Sequence, residues 1–298
     1  MTDFADLTAF VRTAELAAFS AVSDEIGMTA SGVSRSVGRL EKRLGTALLH
    51  RSTRRLTLTQ EGEAYLVHAR QILRMVEAAE AEIVGCSGTL QGRVRINTGT
   101  AFARYKLVPS LPAFQTLHPL VAVQLTVTDR RIDPIAEQVD VTVRVGPLSD
   151  SELIAIRLGE VRRVIAASPD YISDRGAPKL PSDLGSHNCL TLSGFSRLDR
   201  WPFFECGRKR MIPVNGNFRS DNAESLLEMG IAGAGIIRVG DFLGQQALAD
   251  GRLVPLLSGV HDDDPQPITA LILPDRRHVP RVAALVEFLK QTAKSGAI

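Results

Sequence analysis

The chain has 298 residues, of which 44% are hydrophobic and 23% are charged, and its formal net charge is +2. This length predicts about two domains with hydrophobic cores of their own. The near-neutral charge excludes a protein that binds nucleic acid over its whole surface, so any such site must lie in a local cluster of basic residues.

The cysteines and the N-terminal segment indicate where the protein works. Cys86, Cys189 and Cys206 are irregularly spaced and offer neither a disulfide framework nor a set of metal ligands. The N-terminal segment carries Asp3 and Asp6 and lacks the basic flank and the apolar run of a secretion signal. No apolar run approaches the roughly 20 residues that a membrane span needs. We therefore expect a soluble cytoplasmic protein without a cofactor, a metal or a membrane contact.

Apolar residues at helical spacing predict that the chain begins with short helices. In the first helix one face consists of Leu7, Phe10, Val11 and Ala14. Ser20 is a good N-cap residue for a second helix that ends at Gly27. Thr29 is a suitable cap for a third helix, which Gly45 ends.

The third helix has an apolar stripe and a polar face. The stripe comprises Val33, Val37, Leu40 and Leu44. We expect this stripe to pack against the first two helices, which turns the polar face outward. The polar face comprises Ser31, Ser34, Arg35, Gly38 and Arg39.

The sequence LLHRSTRRLTLT alternates apolar or β-branched residues with polar ones and predicts a short two-stranded wing after the third helix. Thr59, with Glu63 nearby, then opens a long amphipathic helix that runs to about Val84. The segment Gly85-Cys86-Ser87-Gly88 interrupts this helix and is the candidate hinge.

Two helices joined by a tight turn at Gly27-Met28-Thr29 fit a helix-turn-helix, whose second helix enters the major groove of DNA. Seven basic residues between Arg35 and Arg55 are opposed only by Glu41. Serine hydroxyls reach base edges or phosphates, and arginine pairs bidentately with guanine. The predicted DNA-binding residues are Thr29, Ser31, Ser34, Arg35, Arg39, Arg51, Thr53, Arg54 and Arg55. The alternative is that these side chains form the solvated face of a small helical bundle.

After the hinge the pattern changes to strands that alternate with helices. The strand candidates are VRIN from Val94, VAVQLTV from Val121, VTVRV from Val141, VRRVIAA from Val161, GIIRV from Gly235 and ITALIL from Ile268. Helices are predicted from Ala223 to Ala232 and from Pro280 to Lys294. Strands that alternate with helices of this length predict parallel sheets and an α/β fold.

Two sets of short sequence marks occur in a fixed order along the chain. The first set is Phe19-Ser20, Val33-Ser34, Leu40-Glu41, Leu44-Gly45, Leu48-Leu49, Arg51, Thr57, Thr59 and Gly62. The second set is Pro109, Leu111, Pro112, Phe114, Pro119, the stretch from Asp140 to Gly146, and the turn Gly233-Ala234-Gly235-Ile236. Together these marks resemble the LysR-type transcription regulators over nearly the whole chain.

The resemblance implies a multidomain fold: an all-α winged helix-turn-helix with a linker helix, and then a two-lobed α/β regulatory domain like a type 2 periplasmic binding protein. The implied domains are residues 1–59 for DNA binding, 60–88 for the linker helix through which two subunits dimerise, and 89–298 for effector binding. The implied function is sequence-specific transcription regulation in a bacterium, not enzymatic catalysis. The implied partners are double-stranded promoter DNA, a small effector between the lobes, and further copies in a homodimer or homotetramer, with RNA polymerase as a further candidate.

Polar residues at strand ends are the candidate effector ligands, because ligands of open α/β sheets bind at the carboxyl ends of strands. Asn97-Thr98-Gly99-Thr100 ends one predicted strand, Thr126-Val127-Thr128 ends the next, and Arg144 lies in the third. Asn222 precedes a predicted helix. An irregular segment carries Thr191, Ser193, Phe195 and Trp201.

By the resemblance these segments border the effector cleft. The predicted effector-binding residues are Thr98, Gly99, Thr100, Phe102, Thr128, Arg144, Ser193 and Asn222. An arginine among hydroxyl groups favours a small organic acid or an aromatic carboxylate. Each residue also has a structural alternative: the threonines cap a helix, Arg144 forms an ion pair, and Trp201 packs in a core.

Three other functions compete with this interpretation. An enzyme is disfavoured because no GxSxG, HExxH, P-loop or GxGxxG motif occurs in a suitable context, and the six histidines are scattered without obvious partners. A free solute-binding protein is disfavoured by the basic helical N-terminus. A thiol-based redox sensor would use Cys189 and Cys206, although free cysteines are more often buried and inert.

Overall fold

The computed structural model describes residues 3–51, 56–85, 90–148, 151–193, 198–205, 207–263 and 265–294. These residues form two compact units, the first made by the chain up to residue 85 with residues 278–280, and the second by the rest of the chain from residue 90 onward. Thr53, Arg54, Arg55, Cys86, Phe195 and Cys206 lie outside the described residues, and so does the candidate hinge beyond Gly85.

The first unit is helical, with a two-stranded wing. Its elements are α1 (Phe4–Leu16), α2 (Phe19–Ile26), α3 (Ala30–Leu44), β1 (Leu49–Arg51), β2 (Leu56–Leu58) and α4 (Gln60–Gly85). The wing predicted from sequence is confirmed, because β1 and β2 pair antiparallel with Leu49 opposite Leu58. The core contains Leu7, Phe10, Val33 and Val37, which are all fully buried.

Glycines end the second and third helices as predicted. Gly27 and Gly45 are the C-cap residues of α2 and α3, with φ of 67° and 71°. A residue with a Cβ atom is sterically strained in this left-handed conformation, whereas glycine is not. Both helices therefore end where the sequence places a glycine.

The start of α2 differs from the prediction that Ser20 is its N-cap. The helix begins at Phe19, and Ala18 occupies the N-cap position without a side-chain hydrogen bond. Phe19 packs against the core of the first unit. Packing of this aromatic residue therefore overrides the capping preference of the serine that follows it.

The second unit contains two lobes, built from strands and helices that alternate irregularly. Its strands are β3 (Gly92–Thr98), β4 (Val121–Val127), β5 (Val141–Val145), β6 (Ile154–Val161), β7 (Arg163–Ala167), β8 (Thr191–Leu192), β9 (Arg200–Glu205), β10 (Arg208–Pro213), β11 (Arg219–Ser220), β12 (Ile237–Gly240), β13 (Val254–Pro255) and β14 (Gln266–Ile272). Its α-helices are α5 (Thr100–Phe102), α6 (Val108–Leu117), α7 (Pro169–Arg175), α8 (Ala223–Ile231), α9 (Asp241–Ala249) and α10 (Pro280–Lys294).

The first lobe is built on a five-stranded sheet in the order β4-β3-β5-β14-β6. Strand β3 pairs parallel with β4 and with β5, whereas β14 pairs antiparallel with β5 and with β6. The expectation of parallel sheets is therefore wrong for half of this sheet, because β14 returns from the far end of the chain in the opposite direction. Phe114 of α6 packs against Phe288 of α10 with the ring centroids 5.4 Å apart and the rings tilted, and Phe114 belongs to the buried core of this lobe.

The second lobe contains a three-stranded antiparallel sheet in the order β12-β7-β13. One cluster of buried side chains includes Trp201, Phe203 and Ile165, and another includes Leu226, Ile237 and Leu243. The two clusters give the sheet an apolar layer on each side, as expected when sheet residues alternate in direction.

Among the described residues of the second unit, six strands were not predicted, namely β6, β8, β9, β10, β11 and β13. Strand β6 has no separate sequence signal, because the prediction begins at Val161, where β6 ends. Strands β9 and β10 form an antiparallel hairpin with Trp201 opposite Ile212. The segment around Trp201 is therefore not irregular, and Thr191 likewise lies in a strand.

Candidate functional site

Helix α3 presents the polar face predicted for DNA recognition. Thr29 caps the helix, since its Oγ1 accepts a hydrogen bond of 3.1 Å from the Gly32 amide. Ser31, Arg35 and Arg39 are exposed, and Ser34 is half-buried. Exposed hydroxyl and guanidinium groups at the start of a capped helix can reach base edges and phosphates.

The opposite face of α3 packs into the first unit through fewer residues than predicted. Val33, Val37 and Leu40 are fully buried, but Leu44 is 39% exposed. Leu44 lies in the last turn of α3. The predicted apolar stripe is therefore one residue too long.

Arg39 is held by Asp6 of helix α1 as well as facing solvent. Its Nη2 donates to Oδ1 of Asp6 at 2.5 Å and to Oγ of Ser36 at 2.9 Å. The hydrogen bond with Asp6, which is 3% exposed, raises the pKa of Arg39. This pair fixes α3 against α1, a structural role that the sequence pattern did not reveal.

Glu41 does not oppose the basic cluster as a free surface charge. Its Oε1 accepts hydrogen bonds from the amides of Leu48 and Leu49 at 2.9 Å and 3.1 Å. The carboxylate is therefore directed to the start of the wing. Of the predicted wing contacts, only the backbone of Arg51 is described.

A cavity of about 180 Å³ lies in the second unit and is lined by residues of both lobes. Six of the eight predicted effector residues line it, namely Thr98, Gly99, Phe102, Thr128, Arg144 and Ser193. Thr100 and Asn222 lie beside it, where both donate hydrogen bonds to Asp129, itself a lining residue. The structure thus brings the predicted residues together, and their role in effector binding stays a prediction.

Arg144 is the cationic group of the cavity that the sequence pattern identified. Its Nη2 donates to Oδ1 of Asn97 at 2.6 Å, and its Nη1 donates to the Val143 carbonyl at 3.2 Å. Burial lowers the pKa of the Arg144 guanidinium, while the carboxylate of Asp129 raises it and the charge of Arg131 lowers it. A fixed, partly dehydrated guanidinium is suited to a charged hydrogen bond with an anion.

Two further arginines, Arg163 and Arg238, line the cavity and were not predicted. Arg238 is only 5% exposed, and its Nε donates to Nε2 of His261 at 2.9 Å. Both arginines lie in short apolar strands, in VRRVIAA and in GIIRV. The sequence signal that could have identified them is a charged residue within an otherwise apolar strand.

The remaining lining residues include apolar and acidic groups. Phe102, Phe242 and Leu243 give the cavity an apolar wall, and Asp129 and Asp221 contribute carboxylates. Trp201 is 1% exposed and belongs to the core of the second lobe, which confirms its structural alternative.

Two histidines and one cysteine of the second unit are hydrogen-bonded or buried within it. His187 Nδ1 lies 3.2 Å from the hydroxyl of Tyr171, so this histidine and His261 both have partners, contrary to the expectation from sequence. Cys189 is fully buried, and burial raises the pKa of its thiol to about 12. Such a thiol is unreactive near neutral pH, which disfavours a redox role for Cys189.

Within the described ranges, no group of three or more histidine, cysteine or carboxylate side chains could hold a metal ion. None of the helices in the described part of the chain is long and apolar enough to cross a membrane.

Comparisons with known proteins identify two family domains in this chain. Residues 4–63 match the family described as bacterial regulatory helix-turn-helix protein, lysR family. Residues 87–294 match the family described as LysR substrate binding domain. The first match includes helix α3 and the wing, and the second includes every residue that lines the cavity.

Several curated relatives and solved structures cover nearly the whole chain. The transcriptional regulator CrgA of Neisseria meningitidis is 32% identical over 97% of this chain and 96% of its own. The regulator DmlR of Escherichia coli is 31% identical over 96% of this chain and 93% of its own. The structure of CrgA has a TM-score of 0.64 and 31% identity over 98% of this chain and 99% of that one. That of the Vibrio cholerae virulence activator AphB has a TM-score of 0.60 and 25% identity over 97% and 99%. The chain therefore belongs to the LysR family of DNA-binding transcription regulators and carries both the helix-turn-helix and the substrate-binding domain of that family.

Proposed function

We propose that the second unit binds a small organic acid with an apolar body, and that this binding controls how the first unit binds DNA. The single observation that supports the acid is the set of three arginines, Arg144, Arg163 and Arg238, around one cavity. Guanidinium groups bind carboxylates through charged hydrogen bonds, so an acid that enters this cavity meets cationic side chains that suit its charged end.

The size and the wall of the cavity narrow the class of acid. An apolar cavity of about 150 Å³ admits a benzene molecule, and this cavity has about 180 Å³. Phe102, Phe242 and Leu243 offer apolar contacts for one ring or a short alkyl chain. A single-ring aromatic acid or a short aliphatic acid fits both properties.

In the first unit, the proposed DNA contacts are the exposed hydroxyl and guanidinium groups of α3 together with the wing. Ser31 and Arg35 are exposed on α3, and Thr29 fixes the start of that helix. We also propose that α4 within residues 60–88 is the dimerisation helix. Val67, Ile72 and Met75 of α4 are exposed apolar residues, and such residues favour a partner surface. A homodimer or homotetramer of this kind would present paired helix-turn-helix units to half-sites about one DNA turn or a multiple apart.

The test of the acid compares each acid with its uncharged amide. Binding of benzoate, benzamide, hexanoate and hexanamide to the full chain is measured by calorimetry, and DNA affinity is measured with each ligand present. We expect at least one acid, but neither amide, to bind and to change DNA affinity or the footprint. Equal binding of an acid and its amide would remove the support for an anionic effector.

A further inference from the structure

Three hydrogen-bond donors converge on the carboxylate of Asp129, which follows strand β4. The amide of Thr100 donates to Oδ1 at 2.9 Å, and the hydroxyl of Thr100 donates to Oδ2. Nδ2 of Asn222 donates to the same Oδ2 at 3.2 Å. Both oxygens of the Asp129 carboxylate therefore accept hydrogen bonds. A binding site for a free carboxylate would offer the same kind of donors.

These donors come from both lobes, and Asn222 is fixed independently of Asp129. Thr100 follows β3 in the first lobe, whereas Asn222 precedes α8 in the second lobe. Asn222 is held by its other end, because its Oδ1 caps α8 through a 2.8 Å hydrogen bond from the Ser225 amide. We call the amide and hydroxyl of Thr100 and the Nδ2 of Asn222 the Thr100–Asn222 cradle.

The chain leaves room for a carboxylate in this cradle by placing a glycine beside it. A Cβ added at Gly99 would lie 2.8 Å from Oδ1 of Asp129, closer than such atoms approach. Gly99 also lines the cavity, as does Asp129 itself. The cradle therefore opens onto the same cavity that contains Arg144.

We propose that Asp129 is a specificity-determining residue, whose carboxylate fills the Thr100–Asn222 cradle and keeps the acidic group of an effector away from it. The inference rests on the proposed function, in that the effector is an anion. It explains why Thr100 and Asn222, predicted as effector ligands, lie beside the cavity without lining it. An effector acid is thereby directed to the arginine side of the cavity.

Removal of Asp129 would empty the cradle and change the specificity of the cavity. In the Asp129→Ala variant a small free carboxylate can accept the three hydrogen bonds that the side chain accepts in the natural chain. In Asp129→Asn the negative charge is also lost, but an amide still fills the cradle. The pair of variants separates occupation of the cradle from the effect of charge on Arg144, since only the alanine variant is empty.

The test is a titration with acetate, followed by NMR at the amide resonance of Thr100 in protein labelled at threonine. For Asp129→Ala we expect a saturable shift of this resonance and an acetate affinity about tenfold higher than for Asp129→Asn, which corresponds to about one charged hydrogen bond. The natural chain should show no saturable shift at the same concentrations. Acetamide is the neutral control ligand, and Asp174→Ala, which changes an exposed aspartate of α7, is the control variant.

A second variant tests the donor from the other lobe. Asn222→Ser retains a good cap for α8 but removes the Nδ2 donor, so in the Asp129→Ala background it should weaken acetate binding several-fold. If Asp129→Ala loses its fold in a thermal melt, Asp129→Gly provides the same empty cradle. Equal acetate affinity of the alanine and asparagine variants, or no shift at Thr100 in either, would overturn the proposal.

This outcome is separate from that of the proposed function. Acetate binding in the empty cradle is measured at Thr100 and does not require that any larger acid bind the natural chain. Failure of benzoate and hexanoate to bind the natural chain would count against the proposed effector while the acetate result still decides the role of Asp129.

Discussion

Helix α3 of the first unit carries arginines at its surface, whereas three arginines of the second unit line a cavity. Arg35 of α3 is exposed to solvent, and Arg39 is exposed as well while it is hydrogen-bonded to Asp6. Arg238, by contrast, is 5% exposed and donates to His261, and Arg144 donates to Asn97 and to a backbone carbonyl. An exposed guanidinium keeps its hydration and suits a long polyanion, whose binding releases counterions. An enclosed one has lost hydration and has a fixed direction, which suits a single small anion.

The largest expected effect is on the reactivity of the Cys189 thiol, which reports how well the second unit shields its interior from solvent. Burial raises the pKa of Cys189 from 9.0 to about 12, so at pH 8 its thiolate fraction should be about 10³-fold lower than that of an unperturbed thiol. In a Cys86→Ser/Cys206→Ser variant, the folded protein should react with iodoacetamide about that much more slowly than the same protein in urea. Comparable reaction rates in the folded and unfolded protein would contradict this account, because the interior of the second unit would then be accessible to solvent.

The next largest effect is expected for Arg144, which lines the cavity, and it concerns the affinity for an acid. Arg144→Gln should weaken binding of the preferred acid by about tenfold to a hundredfold, since a charged hydrogen bond contributes about 1.5–3 kcal/mol. DNA affinity without ligand should not change. Calorimetry and a DNA-binding titration check both parts. The matched control is Arg157→Gln, which changes an exposed arginine of β6; a loss of acid binding as large as that of Arg144→Gln would contradict the assignment.

The exposed arginines of the first unit should respond differently. Arg35→Ala should lower DNA affinity about tenfold, within the range for an arginine that contacts a base or phosphate. Acid binding by the second unit should be unaffected. Fluorescence anisotropy with the DNA upstream of the gene measures the change, and Arg175→Ala, at an exposed arginine of α7, provides the control. An unchanged affinity for Arg35→Ala would remove Arg35 from the proposed interface.

The smallest expected effect is on stability. Thr29→Ala removes the hydrogen bond to the Gly32 amide and should lower the free energy of unfolding by about 1 kcal/mol. Ser20→Ala should cost less than about half of that, because Ala18 and not Ser20 occupies the N-cap position of α2. Urea unfolding of both variants gives the comparison. A larger loss for Ser20→Ala than for Thr29→Ala would reverse the capping assignment.

Features that depend on local sequence were predictable in both units. Thr29, Gly27 and Gly45 fix the ends of helices through groups within a few residues, and α10 begins and ends at the predicted residues Pro280 and Lys294. The choice of Ser20 failed because packing of Phe19 in the core decides where α2 begins. Local preferences thus give the right element and lose its boundary where the core intervenes.

Features that depend on distant pairing were not predictable. Strand β6 is recognised only through its partner β14, more than a hundred residues later in the chain. Asp129 reaches Thr100 because β3 and β4 are parallel neighbours, a pairing that no local pattern around Asp129 announces. Arg163 and Arg238 come together at the cavity for the same kind of reason, since β7 and β12 pair. The sequence therefore indicated the cavity residues at strand ends, but it did not indicate Asp129, Arg163 or Arg238, which depend on strand pairing.

The most direct test of the account measures the salt dependence of both binding equilibria on one preparation of the full chain. Each phosphate contact should contribute a slope of about −0.9 in the logarithm of DNA affinity against the logarithm of salt concentration. Binding of the preferred acid in the enclosed cavity should depend much less on salt, because buried charges are poorly screened. A steep slope for DNA and a shallow one for the acid is the predicted result. Equal slopes, or DNA binding that does not respond to salt, would contradict the division between exposed and enclosed arginines.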